Sequence, residues 1–272
     1  ELSGNPPQPD ADGVPRGRPT HIVWPEAAIP FFARRNRKAL AGFDNALPDD
    51  VRVIAGTFRT NVPPSVPNAR IKAYRVFNTA MTFGGDGVVK SYYDKIHLVP
   101  FGEYLPAQQI LAAFGLENLT RSAGGLEPGK APRQLMRITG LPPVEMLICY
   151  EASFPGEVAQ GPERPGLMIN LTNDAWFGNT SGPYQHFHQT RLRAVEQGVA
   201  MLRSANTGIS AIVDPMGRIL SRLELNEIGV IDGALPRAIR SPVYALHGPL
   251  VELAMLLAML TYLAASALIR RQ

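Results

Sequence analysis

An apolar run near the C-terminus constrains this chain most. Residues 250–269 read LVELAMLLAMLTYLAASALI and contain a single charged residue, Glu252. As a helix that rises about 1.5 Å per residue, the run spans about 30 Å, which is the thickness of the hydrocarbon core of a bilayer. It is apolar on every face, whereas a helix packed on a domain is usually apolar along one stripe. The sequence therefore predicts a transmembrane helix within residues 246–272, and a buried core helix is the alternative.

The charges around this run predict its orientation. Arg270 and Arg271 follow it directly, and positively charged residues favour the cytoplasmic side of a membrane. Arg237 and Arg240 precede it and reduce the asymmetry. We expect the C-terminal end to lie in the cytoplasm and the preceding domain, residues 21–245, to face the exterior or the periplasm.

The chain as a whole has the composition of a globular protein. Of 272 residues, 45% are hydrophobic and 18% are charged, and the net charge of +4 is too small to predict a nucleic-acid partner. The single cysteine, Cys149, excludes a disulfide within the chain and any multi-cysteine metal site. Residues 1–20 are polar and rich in proline and glycine, which predicts a loop. Because the chain begins with Glu1, we expect it to be truncated.

Short apolar runs alternate with turns and with one amphipathic segment. Apolar residues at helical spacing predict a helix over residues 186–204, and the GGDG sequence at 84–87 predicts a hairpin turn. This alternation predicts a layered α/β fold. The expected strands are residues 21–24, 51–57, 73–83, 88–93, 144–148, 167–171, 209–213 and 228–231.

Three residues with useful chemistry follow or interrupt apolar runs. Cys149 follows VEMLI, where a nucleophile at a strand end would have the next backbone N–H free to stabilise an oxyanion; an inert buried thiol is the alternative. Glu26 follows the run HIVWP, and a surface acid is its alternative. Lys95 lies among aromatic and apolar residues, which would partly desolvate it, and an exposed lysine is the alternative.

Two other motifs predict no site. The GGLEPGK sequence at 124–130 lacks the Ser or Thr of a phosphate-binding loop. His186 and His188 are too close along the predicted helix to face the same way, so they predict no metal site. We expect neither a metal nor a cofactor.

In this chain order, Glu26, Lys95 and Cys149 resemble the catalytic set of the nitrilase or carbon-nitrogen hydrolase superfamily. The resemblance implies a nitrilase-like αββα sandwich, here followed by the transmembrane helix. Longer motifs are similar to those of the apolipoprotein N-acyltransferase family, and the resemblance runs from about residue 23 to the C-terminus. These motifs are VWPEAAIPFF, YYDKIHLVPFGEYLP, ICYEASFP, NLTNDAWFG and RSANTGISAIVDPMGRI.

The resemblance implies a function for each catalytic residue. Glu26 would take the proton of Cys149, whose thiolate would attack an acyl ester of a phospholipid, and phosphatidylethanolamine is the expected donor. Lys95 and the N–H of Tyr150 would stabilise the oxyanion. The amine of a diacylglyceryl-cysteine apolipoprotein would then attack the thioester. The implied location is the bacterial inner membrane, with the catalytic domain in the periplasm.

Further residues match supporting positions of the family. Glu103 and Glu151 would orient Lys95 and the turn at Cys149, and Trp176 would lie in the substrate region. The apolar segments 105–116 and 175–184 would face lipid and exclude water, or else pack as ordinary loops. Two other functions stay open: a membrane-anchored amidase that acts on a small amide, and a membrane-tethered binding module whose cysteine is inert.

Overall fold

The computed structural model describes residues 18–32, 40, 47–48, 50–62, 75–104, 106 and 125–269. Two expectations fall largely elsewhere. Most of the predicted N-terminal loop at 1–20 and of the lipid-facing segment at 105–116 lies outside the described residues, as do residues 270–272.

The first sheet contains five strands in the order β1-β3-β4-β5, with β2 also paired to β3. β1 and β2 run parallel to β3, and β3, β4 and β5 are antiparallel neighbours. The predicted GGDG turn joins β4 to β5 as a hairpin, as expected. The strands are β1 (His21–Val23), β2 (Ile29–Phe32), β3 (Arg52–Thr60), β4 (Val76–Gly84) and β5 (Val89–Asp94).

The second sheet also contains five strands, in the order β10-β9-β8-β7-β6. β6, β7 and β8 are parallel, whereas β9 and β10 are antiparallel to their neighbours. β6 and β7 are buried on both faces, which explains why the polar residues in VEMLI and LMINLTN are also buried. The strands are β6 (Val144–Ile148), β7 (Leu167–Asn173), β8 (Met201–Asn206), β9 (Ser210–Val213) and β10 (Ile219–Leu223).

The two sheets pack face to face. Ile54, Ala80 and Tyr93 of the first sheet share one buried cluster with residues of the second, including Met146 and Ile169. A second cluster joins the outer face of the second sheet to helix α1 (Gly182–Gln197), and a third lies on the outer face of the first sheet, against Leu40. The α/β sandwich predicted from the sequence is confirmed.

The prediction of a helix over residues 186–204 is wrong at its C-terminal end. α1 ends before Gly198, whose φ of 62° places it in the left-handed region that terminates helices. The chain then turns into β8, a strand that the sequence analysis missed. Val199 and Leu202 continue the apolar spacing of the helix because Val199 is buried and Leu202 packs against the core.

The expected strand at residues 228–231 is also absent from the structure. This segment has no regular secondary structure, and Ile228 is completely exposed. An apolar run without a neighbouring strand to pair with does not form a strand. β2 and β10 were likewise not predicted; each is short and at least partly exposed.

The C-terminal segment forms the expected helix, α2 (Val243–Ile269), interrupted by non-helical dihedral angles at His247. Its apolar side chains are largely exposed, with Leu256 and Leu260 each about half accessible to solvent. Within the part of the chain that the structure describes, no helix combines the length and the apolar character needed to cross a membrane. The prediction of a transmembrane helix within residues 246–272 is therefore not confirmed.

Candidate active site

Cys149 lies at a sharp turn directly after β6. It is the first residue of a 3-10 turn, Cys149–Ser153, and its φ of 50° lies in the left-handed region. Residues other than glycine adopt this conformation rarely, and such strain is concentrated at functional sites. The turn lets the chain leave the sheet at the end of a buried strand while Cys149 keeps part of its surface accessible.

Glu26 follows β1 and lies beneath β3. The two segments approach so closely that a Cβ at Gly56 would lie 2.6 Å from the Cα of Glu26, which explains the glycine in the middle of β3. The carboxylate is buried and accepts two hydrogen bonds. Asn78 Nδ2 donates to its Oε1 at 2.7 Å, and the backbone N of Asn173 donates to its Oε2 at 2.7 Å.

Lys95 follows β5 and is almost fully buried. Its Nζ lies 2.8 Å from Glu103 Oε2 and 3.7 Å from Glu26 Oε1. Glu103 Oε2 also accepts a hydrogen bond from the backbone N of Val99, at 2.8 Å. Lys95 therefore pairs closely with Glu103, which leaves Glu26 the less tightly bound of the two acids.

Burial changes the proton affinity of this cluster. Desolvation raises the pKa of Glu26, and Glu103 raises it further, whereas Lys95 and the hydrogen bonds from Asn78 and Asn173 lower it. For Lys95, desolvation acts to lower the pKa, but the charges of Glu26, Cys149 and Glu103 together raise it. The lysine therefore stays charged while the neutral form of Glu26 becomes accessible.

The thiol of Cys149 is predominantly protonated at neutral pH. Burial raises its pKa to about 11, and the carboxylate of Glu26 also raises it. Lys95 and a side-chain hydrogen bond with Thr172 oppose this shift. A nucleophile in this state needs a base to remove its proton during the reaction, and Glu26 is a buried carboxylate in the same cluster.

Glu151 ties the turn at Cys149 to the segment that carries Lys95. Its Oε2 accepts a hydrogen bond from the backbone N of Ile148 at 2.7 Å, and its Oε1 accepts one from the backbone N of Ile96 at 2.8 Å. Arg133 Nη1 lies 3.1 Å from Oε2 and compensates its charge. These bonds fix the residues next to the cysteine relative to the residue next to the lysine.

Two predicted site residues lie at the edge of this cluster. The ring of Tyr150 packs edge-on against His97 and Phe154, at centroid distances of 5.6 and 4.7 Å, and His97 also lines a cavity of about 660 Å³. Trp176 lies in the 3-10 turn Asp174–Phe177 and is 82% exposed. The structure thus brings Glu26, Lys95 and Glu103 into direct contact and places Trp176 at the surface.

Sequence reasoning missed the polar partners beneath the site. Thr172 lowers the pKa of the thiol and donates to Asp174 Oδ1 at 3.1 Å. Asp174 also pairs with Arg203 at 2.7 Å and with His186 at 2.9 Å. A signal is present in the sequence, because Thr172 lies near the end of a buried strand that begins with the apolar run LMI, and Asp174 directly follows that strand. The spacing of His186 and His188 bears only on metal binding, so the sequence does not predict the buried contacts of His186.

Comparisons with known proteins agree with this architecture. Two curated relatives are each named apolipoprotein N-acyltransferase. The one from Rhodopseudomonas palustris is 45% identical over 244 residues, covering 88% of this chain and 45% of the relative. The one from Bradyrhizobium diazoefficiens is 46% identical over 244 residues, covering 88% and 44%. The chain thus spans a little under half the length of these relatives.

Solved structures show the same fold at low sequence identity. A carbon-nitrogen hydrolase from Helicobacter pylori aligns with a TM-score of 0.51 at 16% identity, covering 75% of this chain and 73% of that one. A variant of an amidase of the nitrilase superfamily from Nesterenkonia AN1 aligns with a TM-score of 0.51 at 19% identity, covering 87% and 83%. The family model for carbon-nitrogen hydrolases matches residues 20–242. Because that match covers most of the chain, including both sheets and the cluster around Cys149, the chain belongs to the carbon-nitrogen hydrolase family.

Proposed function

We propose that this chain is the catalytic part of an apolipoprotein N-acyltransferase, with residues 21–245 as the catalytic domain. The observation that carries the proposal is the buried cluster in which Lys95 and Glu103 pair at 2.8 Å beside Glu26. The charges of Glu26 and Lys95 both act on the pKa of the Cys149 thiol. The names of the 45% and 46% identical relatives support the choice of reaction.

The first half-reaction forms a thioester. Glu26 removes the Sγ proton, and the thiolate attacks the ester carbonyl carbon of a phospholipid, for which we propose phosphatidylethanolamine. The Lys95 ammonium and the N–H of Tyr150 stabilise the oxyanion, and each preorganised donor of this kind contributes about 3 to 4 kcal/mol. The C–O bond breaks, protonated Glu26 returns its proton to the leaving oxygen, and a lysophospholipid departs.

The second half-reaction transfers the acyl chain. The α-amine of a diacylglyceryl-cysteine apolipoprotein attacks the thioester carbonyl carbon, and Glu26 accepts a proton from the amine. The C–S bond then breaks, the thiolate recovers its proton from Glu26, and the amide product leaves. Water must be kept from the thioester, because hydrolysis would otherwise compete with transfer.

The exposed apolar surfaces support a reaction at a membrane. We propose that α2 contacts lipid through side chains such as Leu256 and Leu260, and that Trp176 and Tyr184 lie at the lipid–water interface. The proposed location is the bacterial inner membrane, with the catalytic domain on its periplasmic side. In vesicle co-sedimentation, we expect Leu256→Glu and Leu260→Glu to weaken binding; unchanged binding would remove α2 from the contact.

Intact mass spectrometry tests the acyl transfer itself. The chain is incubated with phosphatidylethanolamine in detergent, beside Cys149→Ala and beside the full-length Rhodopseudomonas palustris relative. We expect one added acyl chain on Cys149, removed by neutral hydroxylamine and absent from the alanine variant. A diacylglyceryl-cysteine peptide with a free amine should discharge the adduct, and the same peptide N-acetylated should not. The amidase would be favoured if Cys149 can be alkylated, no acyl adduct forms, and the protein releases ammonia from small amides.

A further inference from the structure

We propose that His186 positions the nucleophile turn by donating a hydrogen bond from Nε2 to the backbone carbonyl oxygen of Cys149. His186 extends from α1, and its Nε2 lies 3.1 Å from that oxygen. A carbonyl oxygen only accepts hydrogen bonds, so this contact requires a hydrogen on Nε2. The inference rests on the proposed function, in which Cys149 is the nucleophile.

The imidazole is held from behind by buried charges. Nδ1 of His186 lies 2.9 Å from Asp174 Oδ1, and Arg203 Nη2 donates to Asp174 Oδ2 at 2.7 Å. Arg203 is itself fixed, because its Nε donates to the backbone oxygen of Ile209 at 3.1 Å and its Nη1 donates to Thr190 Oγ1 at 2.9 Å. A polar network satisfied in this way is rigid, so the ring presents Nε2 in one direction.

The contact has a specific consequence for catalysis. The carbonyl of Cys149 and the N–H of Tyr150 belong to one planar trans peptide unit, in which the two groups point in opposite directions. Fixing the oxygen therefore fixes the direction of the N–H that we propose as an oxyanion donor. The same bond polarises the peptide and strengthens its N–H as a donor.

The conformation of the turn explains why such a constraint is needed. Cys149 has a φ of 50°, which a residue with a side chain adopts only where its surroundings hold it. Glu151 secures the chain on one side, through the N–H of Ile148. His186 secures the peptide on the other side of the cysteine, so the strained residue is fixed between two hydrogen bonds.

Two substitutions separate positioning from simple charge pairing. In His186→Gln the side-chain amide nitrogen occupies the position of Nε2 and can still donate to Cys149. In His186→Asn it occupies the position of Nδ1, so it can still pair with Asp174 but cannot reach the carbonyl. His188→Asn, an exposed neighbour on α1, serves as the control.

The readouts are the rate of acylation by p-nitrophenyl butyrate, which needs the oxyanion donor, and the rate of alkylation by iodoacetamide, which does not. We expect His186→Gln to acylate within about threefold of the wild type and His186→Asn about ten- to a hundredfold more slowly. Alkylation should change little in either variant. If His186→Asn acylates as fast as His186→Gln, or if alkylation falls in parallel with acylation, the inference is wrong.

A measurement on the wild-type chain does not depend on how the variants fold. In a nitrogen–proton correlation spectrum of the histidine-labelled protein, we expect a solvent-protected Nε2–H signal from His186, and its absence would overturn the inference. The lipid donor is tested separately. A wild type that is acylated by p-nitrophenyl butyrate but not by phosphatidylethanolamine would refute the proposed donor and leave the positioning test intact.

Discussion

The two sheets hold their buried carboxylates in different ways. Next to the first sheet, burial raises the pKa of Glu26, and Lys95 lies 3.7 Å away because it pairs more closely with Glu103. Beyond the second sheet, burial acts in the same direction on Asp174, but its hydrogen bond with His186 and the charge of Arg203 lower its pKa. A carboxylate whose neutral form is accessible can move protons, whereas one held charged by its partners supports structure.

Replacing the base should have the largest effect. Glu26→Gln keeps the shape of the side chain but cannot accept the thiol proton, so we expect acylation by p-nitrophenyl butyrate to fall by about 10² to 10⁴-fold. Stability should fall modestly, because the amide nitrogen faces a donor where the carboxylate accepted a bond, and Lys95 loses part of its charge compensation. The far-ultraviolet circular dichroism spectrum should still be that of the folded chain. Glu163→Gln, which changes an exposed acid paired with exposed Arg137, is the control and should leave the rate unchanged. A loss smaller than tenfold would show that another group takes the proton.

Removing Arg203, the cation that pairs with buried Asp174, should mainly affect stability. Arg203→Met leaves Asp174 buried beside fewer compensating groups, and breaking such a pair costs about 3 to 5 kcal/mol. Urea unfolding followed by circular dichroism measures the free energy of unfolding. Arg222→Met removes an exposed ion pair and should cost about 0 to 1 kcal/mol. Equal costs for the two variants would contradict a difference between buried and exposed pairs.

Thr172 lies between Cys149 and Asp174, and its substitution should have an intermediate effect. Its single hydroxyl hydrogen is donated to Asp174 Oδ1 at 3.1 Å, and when it is donated to Cys149 instead it lowers the pKa of the thiol. Thr172→Val removes a bond that favours the thiolate, so the pKa of the thiol should rise above about 11 and alkylation by iodoacetamide should slow by about three- to tenfold. Thr172→Ser keeps the hydroxyl and should react like the wild type. A fast valine variant would show that this hydrogen bond does not act on the thiol.

The sequence indicates the group of Glu26, Lys95 and Cys149 better than the group of Asp174, His186 and Arg203. Glu26, Lys95 and Cys149 each lie in or beside an apolar run, where a polar residue stands out. β6 was predicted with its observed bounds, because VEMLI is short, apolar and followed by a turn.

The group of Asp174, His186 and Arg203 depends on contacts between segments far apart in the chain, which no local sequence pattern predicts. His186 and Cys149 are far apart in the sequence. They meet only because α1 packs on the second sheet, in which β6 ends directly before the cysteine. The end of α1 is hard to place from the sequence for a related reason. Val199 lies between α1 and β8 and is buried in the core, and its spacing from Val195 is the same as that of the buried face of a helix.

The smallest expected effect is that of Glu103→Gln, which tests how the charge of Glu103 acts on Glu26 and Lys95. Glu103 raises the pKa of both Glu26 and Lys95 by its negative charge, so Glu103→Gln should lower both pKa values. Acylation requires Glu26 as the carboxylate and Lys95 as the ammonium. The rising limb of the pH–rate profile should therefore move to lower pH, because the Glu26 carboxylate persists in more acidic solution, and the falling limb of Lys95 should move the same way. Acylation by p-nitrophenyl butyrate, quenched and followed by intact mass, gives both limbs, with Glu163→Gln as the unshifted control. A rising limb that stays in place or moves to higher pH would mean that Glu103 does not act on Glu26 through its charge, and that its contact with Lys95 serves only to hold the lysine.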